Sequence, residues 1–209
     1  MTKQSFWELL ESCRNNDINI FYHALKAKIK TLSPEELRDF NGYLNSYMQF
    51  SVECVWLDML CKVINGYVSD DSALYFTLWV ISQGEKWLLE SLKNPDALVE
   101  LPEIPFGNAE FEMLMGIGFD EAAFTLEAFD EADFEDMDFE GDFGMPISKD
   151  DIAVQQKCLA EIEADITYKN GDKYGGYTSF EAAMEDIPQI LPNLIKRAEA
   201  EGFDWQNYI

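Results

Sequence analysis

The sequence predicts an all-α protein: a multi-helix domain with a long central helix and an acidic, Phe-rich excursion. Apolar residues recur at helical spacing over most of the chain, so one face of each segment can be buried. Ser, Asp, Pro and Gly stand where such segments begin and end. No convincing strand-length alternation of apolar and polar residues accompanies them. These observations place the chain in the all-α class.

The first two predicted helices begin near the start of the chain. Ser5 followed by Glu8 predicts a capping box for the first helix. Asn16-Asp17 precedes the second, in which apolar residues from Ile18 to Leu32 mark one face. Each helix therefore has its own start signal and one face to bury.

The central helix is predicted to begin at Ser33-Pro34-Glu35-Glu36, which combines an N-cap, a proline at the first helical position and acids in the first turn. Apolar residues then continue at helical spacing from Leu37 to Val63. They predict one long helix or two stacked helices. Gly66 follows the last periodic residue and predicts the end, because glycine is common just past a helix C terminus.

A further helix is predicted to begin at Ser69-Asp70-Asp71 and to break or bend at Gly84. Asn94-Pro95-Asp96 caps the next turn. Prolines at 102 and 105 disfavour helix, so residues 101–105 are predicted to form an extended linker.

Negative charge is concentrated around and after that linker. The chain of 209 residues has 40 acidic and 15 basic residues, a net charge of −25. Residues 94–148 hold 16 of the acids and neither Lys nor Arg. Phenylalanines also recur there every five residues, a spacing that does not match the helical period. They are Phe119, Phe124, Phe129, Phe134 and Phe139.

Three interpretations of residues 107–147 are open. The first is a partly helical stretch from Ala109 to about Ala132 followed by a solvated acidic loop. The second is a pentapeptide-like coil built on small-Asp-Phe units. The third is a docking surface, in which phenylalanines anchor a partner and carboxylates steer its basic surface. Its predicted contact residues are Phe129, Asp130, Asp133, Phe134, Asp136, Asp138, Phe139, Glu140 and Asp142.

Helices resume after the acidic segment. Ser148 with Asp151, and Thr178 with Glu181, are predicted to cap the last two helical regions, with a turn at residues 171–176 between them. Prolines 188 and 192 predict a break in the last region. The predicted organisation has three parts: a helical core over 1–106, the acidic segment over 107–147, and C-terminal helices over 148–209 that pack on the same domain.

Several motifs of the first half occur in a distinctive order. They are Phe6-Trp7, Leu32-Ser33-Pro34-Glu35-Glu36, Trp56, Ile64-Asn65-Gly66, Ser69-Asp70-Asp71, Tyr75-Phe76, Trp79, Ile81-Ser82-Gln83-Gly84 and Asn94-Pro95-Asp96. Over about residues 5–105 the chain resembles DUF4240, a bacterial family of unknown function. Ala73 and Thr77 stand where that family tends to have an aromatic and a basic residue. The resemblance implies a fold and a bacterial, cytoplasmic setting, and it implies no reaction.

The helix start at Ser69-Asp70-Asp71 has two interpretations. The three side chains can cap the helix, since their oxygens accept first-turn N–H groups and acids favour the positive helix end. Alternatively, Asp70 and Asp71 form a polar ligand site together with Tyr75 and Trp79 on the following turns. Such a site would take a basic ligand or substrate.

Composition argues against several classes of function. The negative charge opposes direct binding to nucleic acid and docking on anionic membranes. The single histidine, His23, leaves no set of ligands for the common zinc sites. We expect the four cysteines, 13, 54, 61 and 158, to be reduced and buried. The start of the sequence does not resemble a signal peptide and no run of eighteen apolar residues occurs, so we expect a cytoplasmic protein. We expect no metal or cofactor.

The sequence therefore favours a non-enzymatic protein that binds a basic surface of a partner protein. Such a protein would be an inhibitor, an antitoxin or immunity-type protein, or an adaptor. The alternative is an enzyme or small-ligand binder at Ser69–Asp71. No catalytic residue is predicted.

Overall fold

The computed structural model describes residues 1–117 and 149–206. These residues form α-helices joined by loops and 3-10 turns, and none of those described lies in a β-strand. The protein is therefore all-α, as predicted. Residues 118–148, which contain most of the acidic excursion, lie outside the described residues.

The helices follow the chain in a simple order. They are α1 (Lys3–Glu11), α2 (Ile18–Ile29), α3 (Pro34–Ser51), α4 (Val55–Asn65), α5 (Asp70–Ser82), α6 (Glu85–Lys93), α7 (Lys149–Ile162), α8 (Phe180–Glu185), α9 (Ile187–Ile190) and α10 (Pro192–Ala200). Short 3-10 helices occupy Pro95–Glu100, Glu112–Leu114, Glu163–Asp165 and Lys169–Gly171. Within the described ranges, no helix has the length and apolar character needed to cross a membrane.

The described residues divide into two compact units. One comprises residues 1–47, 113–117 and 149–163, and the other comprises 48–112 and 164–206. Each unit combines residues of the predicted core with residues of the predicted C-terminal helices.

Most predicted helix starts are confirmed. Asp17 caps α2, and Ser33 and Glu36 form a reciprocal cap for α3, with the Glu36 N–H 3.3 Å from the Ser33 hydroxyl. At α1 the prediction was wrong by three residues. Thr2 is the cap and Ser5 is its partner, because each hydroxyl accepts the backbone N–H of the other residue.

Three other boundaries can be compared with the predictions. The apolar run from Leu37 to Val63 forms two helices, of which α3, with 18 residues, is the longest of those described. They are separated at Glu53, whose φ is 57°. Gly66 ends α4 in the left-handed conformation, with φ 84°, as predicted. At α8 the cap is Ser179, whose hydroxyl accepts the Ala182 N–H, and not Thr178 as predicted.

Aromatic side chains of α1 and α3 form the core of the first unit. The Phe6 ring lies 5.3 Å from Phe40 and 5.8 Å from Tyr47, measured between ring centroids. The Trp7 indole N–H donates to the Tyr47 hydroxyl at 2.9 Å, so the polar atoms of both buried rings are paired. Burial of these rings removes a large apolar area from water, which stabilises the unit.

Helix α7 packs against α3 within the same unit, where α3 carries small residues. A Cβ added at Gly42 would lie 2.9 Å from Val154 and 3.1 Å from the Cys158 sulfur. The Ser46 hydroxyl donates to the Gln155 carbonyl at 3.3 Å, and the Tyr43 hydroxyl donates to Glu161. Burial and this acceptor raise the pKa of Tyr43.

The second unit is built around α4, which is buried on nearly all sides. Helices α5, α6, α8 and α10 pack against it. Asp96 and Arg197 attach α10 to the 3-10 helix Pro95–Glu100. The Asp96 carboxylate accepts the backbone N–H groups of Asn193 and Leu194, and the Arg197 guanidinium donates to three carbonyls of residues 99–102.

Candidate functional site

The sequence-predicted site begins at the first turn of α5. Ser69 is its N-cap, and the Ser69 hydroxyl accepts the Ser72 N–H at 3.2 Å. Asp70 and Asp71 are exposed in that turn. Carboxylates there are stabilised by the positive end of the helix, so capping accounts for the local sequence.

A non-helical segment, residues 107–111, lies along α5 and the end of α4. The Gly107 N–H donates to the Ile64 carbonyl at 2.7 Å, and the Phe111 N–H donates to the Tyr75 carbonyl at 3.0 Å. The buried Asn65 amide binds both backbone groups of Ala109. These bonds fix the position of the segment on the helices.

The segment alternates buried and outward-facing side chains because successive residues of extended backbone point to opposite sides. Ala109 and Phe111 are buried, whereas Glu110 is half-buried and Glu112 is exposed. The chain then turns into the 3-10 helix Glu112–Leu114. The first of the three interpretations, a partly helical stretch from Ala109, is therefore wrong for residues 109–111.

Two tyrosine–glutamate pairs result from this arrangement. The Tyr67 hydroxyl donates to Glu110 at 2.6 Å, and the Tyr75 hydroxyl donates to Glu112 at 3.2 Å. Tyr67 follows the helix-ending Gly66, and 39% of its surface is exposed. Each pair joins an aromatic ring to a carboxylate at the surface. A hydrogen bond to tyrosine orients the carboxylate and leaves its charge in place.

The surface around these two pairs is negatively charged. Among the described residues, no Lys or Arg forms an ion pair with Asp71, Glu110 or Glu112. Desolvation and the hydrogen bond to Glu112 raise the pKa of Tyr75, and the negative charges of Glu112, Asp71 and Glu110 add to the shift. The phenol therefore stays protonated at neutral pH and acts as a donor. We name Tyr67, Asp71, Tyr75, Glu110 and Glu112 the tyrosine–carboxylate face.

The structure brings only part of the predicted ligand site together. Asp71 and Tyr75 lie on the tyrosine–carboxylate face. Trp79 is buried, with 4% of its surface exposed, and its ring lies 5.6 Å from Phe76. Each four-residue step along a helix turns about 40° beyond a full revolution, so Trp79 lies about 80° around the helix from Asp71. The negative charge of Asp70 acts instead on Asp58 of α4, where it contributes to raising the pKa of the Asp58 carboxyl.

The predicted partner-binding residues of the acidic segment, from Phe129 to Asp142, lie outside the described residues. Three residues of the tyrosine–carboxylate face were missed by the sequence analysis: Tyr67, Glu110 and Glu112. One sequence signal could have identified Glu110 and Glu112. Apolar and acidic residues alternate in Ala109-Glu110-Phe111-Glu112, shortly after a proline-containing linker.

Other candidate residues have structural surroundings. The four cysteines are buried and unpaired, and burial raises the pKa of Cys54 and Cys61 to about 12. The Cys54 and Cys61 thiols are therefore protonated and poor nucleophiles. His23 is exposed beside Tyr22. In residues 1–117 and 149–206, no three His, Cys, Asp or Glu side chains are placed to hold a metal ion.

Comparison with known proteins gives one match. The model of the family described as "Protein of unknown function (DUF4240)" matches residues 1–125. No curated protein and no solved structure shows significant similarity to the chain. The family match includes α1 to α6 and all five residues of the tyrosine–carboxylate face. Because it extends over more than half of the sequence, the chain belongs to the DUF4240 family.

Proposed function

We propose that this protein is a non-enzymatic interaction protein of the bacterial cytoplasm, and that its tyrosine–carboxylate face binds a basic segment of a partner protein. The observation that carries the proposal is the pairing of Tyr67 with Glu110 and of Tyr75 with Glu112 on a surface without a neutralising cation among the described residues.

The chemistry of the face suits lysine and arginine side chains. Their aliphatic stems can lie along a tyrosine ring while the charged group meets a carboxylate. The hydrogen bonds from Tyr67 and Tyr75 hold Glu110 and Glu112 in place before binding, which reduces the entropy lost on association. The face is thus prepared for a cation.

The charge of the whole chain supports the same proposal. A net charge of −25 attracts a basic partner over long distances and raises its association rate. In this proposal residues 129–142 supply a second set of contacts, with Phe129, Phe134 and Phe139 as apolar anchors. An inhibitor, an antitoxin or immunity-type protein, and an adaptor would all use such a surface.

The test compares two variants with equal net charge. The first neutralises the face (Asp71→Asn, Glu110→Gln, Glu112→Gln). The control neutralises three exposed acids elsewhere (Glu163→Gln, Glu185→Gln, Glu199→Gln). Each immobilised full-length protein is incubated with an extract of the source organism at low and at high salt, and retained proteins are identified by mass spectrometry.

The proposal predicts that the wild type and the control retain the same basic protein at low salt, and that the face variant retains much less of it. Equal retention by both triple variants would show that only overall charge matters. A third variant, with Asp130, Asp133, Asp136, Asp138 and Asp142 changed to Asn, measures the contribution of the acidic segment separately.

A further inference from the structure

Backbone hydrogen bonds hold residues 107–111 along one side. The N–H groups of Gly107 and Phe111 donate to carbonyls of α4 and α5, and the Asn65 amide binds both backbone groups of Ala109. The three bonded residues alternate in the chain, as do the residues of a β-strand that bond to one neighbouring strand. The backbone groups of the residues between them therefore point away from α4 and α5.

The other side of this segment has unpaired backbone groups. Within residues 1–117 and 149–206, neither the Glu110 N–H, nor the Glu110 carbonyl, nor the Asn108 carbonyl has a hydrogen-bond partner. Glu110 is half-buried, and Asn108 and Glu112 on either side of it are exposed. We name these three backbone groups the open edge. A row of unpaired donors and acceptors of this kind is a template to which another strand can add.

The side chains beside the open edge are acidic and fixed in position. Glu110 and Glu112 accept hydrogen bonds from Tyr67 at 2.6 Å and from Tyr75 at 3.2 Å. They are two residues apart, and two residues of extended chain span about 6.6 Å. A strand added to the open edge has the same spacing, so its alternate side chains would lie opposite the two carboxylates. Lysine or arginine at those alternate positions matches them in charge.

Two other occupants match the open edge less well. A second copy of this chain would bring a net charge of −25 against the two glutamates, and like charges opposite each other on neighbouring strands are destabilising. A basic helix could reach both carboxylates with side chains one turn apart. The backbone groups of a helix are bonded within it, so a helix would leave the open edge unpaired.

We propose that the basic segment bound by this protein is extended, adds as a strand to the open edge, and has lysine or arginine at alternate positions. The inference rests on the function proposed above and adds the conformation and sequence pattern of the partner. In the complex the Glu110 N–H donates to a carbonyl of the segment, and the Glu110 carbonyl accepts one of its N–H groups. Backbone bonds supply affinity, and the alternate basic side chains supply specificity.

Binding of a synthetic peptide to the purified full-length protein tests the inference. The probe is a fluorescently labelled peptide of seven residues with blocked ends, in which threonine and lysine alternate, because threonine favours extended backbone. One modified version carries N-methyl groups on the lysine amides, and another carries them on the threonine amides. Each modification removes the N–H donors from one edge of the peptide and leaves its charge unchanged. Fluorescence anisotropy at low salt measures the dissociation constants.

We expect one methylated peptide to bind at least about tenfold more weakly than the unmodified peptide, and the other to bind within about twofold of it. The reason is that a strand uses only every second N–H on the edge that it pairs. Loss on lysine methylation would indicate antiparallel addition, and loss on threonine methylation would indicate parallel addition. Equal effects of the two modifications would overturn the inference.

The face variant and its charge-matched control distinguish this inference from the function on which it rests. If the unmodified peptide binds the face variant as tightly as the control, or does not bind the wild type at all, both proposals fail. If the face variant binds it weakly but both methylated peptides bind the wild type like the unmodified one, the tyrosine–carboxylate face still binds cations. Only the extended conformation is then wrong.

A second comparison changes the open edge itself. Glu110→Pro and Glu110→Gln both remove the carboxylate, but only proline also removes the N–H of the open edge. That N–H has no partner among the described residues, and proline is tolerated at such edge positions. We expect Glu110→Pro, with the circular dichroism of the wild type, to bind the unmodified peptide at least about threefold more weakly than Glu110→Gln. Equal binding by the two folded variants would contradict the inference.

Discussion

The side-chain amide of Asn65 binds both backbone groups of Ala109: Oδ1 accepts the Ala109 N–H at 2.8 Å, and Nδ2 donates to the Ala109 carbonyl at 3.3 Å. The two residues are 44 positions apart in sequence, and both are fully buried. Asn65 thus acts as a strand partner for an extended segment that would otherwise have unpaired buried groups. This contact places Glu110 and Glu112 beside the two tyrosines.

Replacing Asn65 by Ala should therefore affect stability and binding together. The substitution leaves two buried groups of Ala109 unpaired, and we expect the free energy of unfolding to fall by about 2 to 4 kcal/mol. Urea denaturation measures the loss. Asn108→Ala is the matched control, because Asn108 is exposed on the same segment, and it should change stability by less than about 0.5 kcal/mol. A similar loss in both variants would contradict the role of the Asn65 amide.

Removing the charge of Asp58 should stabilise the protein at neutral pH. The pKa of Asp58 is raised to about 6, so its ionisation destabilises the fold increasingly as pH rises through that value. We expect Asp58→Asn to be more stable than the wild type by about 1 to 2 kcal/mol at pH 7.5, and the difference to disappear below about pH 4. Denaturation at several pH values measures it. A variant less stable than the wild type at pH 7.5 would show that the carboxylate has a stabilising partner.

Substitutions at two neighbouring glycines distinguish the cost of crowding Trp56 from the cost of backbone strain. Gly175 and Gly176 have φ values of 67° and 72°, but only a Cβ at Gly175 would meet the Trp56 ring. We expect Gly176→Ala to lose about 1 kcal/mol through its positive φ alone. Gly175→Ala should lose a further 1 to 3 kcal/mol or so, and the fluorescence of Trp56 should change as residues 168–177 are displaced. Equal effects of the two substitutions would mean that the close approach to Trp56 contributes nothing.

Asp96 lies in the 3-10 helix Pro95–Glu100 and caps α10, and we expect this contact to stabilise the protein. Its carboxylate accepts the N–H groups of Asn193 and Leu194 at 3.1 Å and 3.0 Å. Leu191, which precedes the helix, provides no side-chain cap. We expect Asp96→Ala to lower the free energy of unfolding by about 1 to 2 kcal/mol. Glu103→Ala, which removes an exposed acid of the adjoining linker, is the control and should have little effect in the same thermal denaturation series.

Features determined by neighbouring residues could be predicted from the sequence. Asp17, Ser33 and Ser69 begin helices, and Gly66 and Gly84 separate them, because capping and positive φ depend on the residue at that position. The boundary at α1 was misplaced for a related reason. Thr2 and Ser5 form a capping box without the acid that the sequence rule expects.

Features determined by distant contacts could not be predicted. The break at Glu53 is not marked by Gly or Pro. The carbonyl of nearby Phe50 accepts a hydrogen bond from Tyr168, which lies 118 residues later in the chain. Tyr67 and Glu110 meet across 43 residues. Their pairing depends on how the linker folds back over α4 and α5. The sequence identified Asp71 and Tyr75 from their spacing on one helix. The alternation at residues 109–112 could mark Glu110 and Glu112 as outward-facing, but it does not show which tyrosine each one meets.

The equilibrium affinity of the captured basic partner for the purified full-length protein tests the central claim most directly. We would measure it for the wild type, the variant of Asp71, Glu110 and Glu112, and the charge-matched control variant, each at two salt concentrations. We expect the control to bind within about twofold of the wild type, whereas the face variant should bind at least about tenfold more weakly, a difference of about 1.4 kcal/mol. Equal affinities for the two charge-matched variants would contradict it and would leave only the overall charge of the chain as the basis of binding.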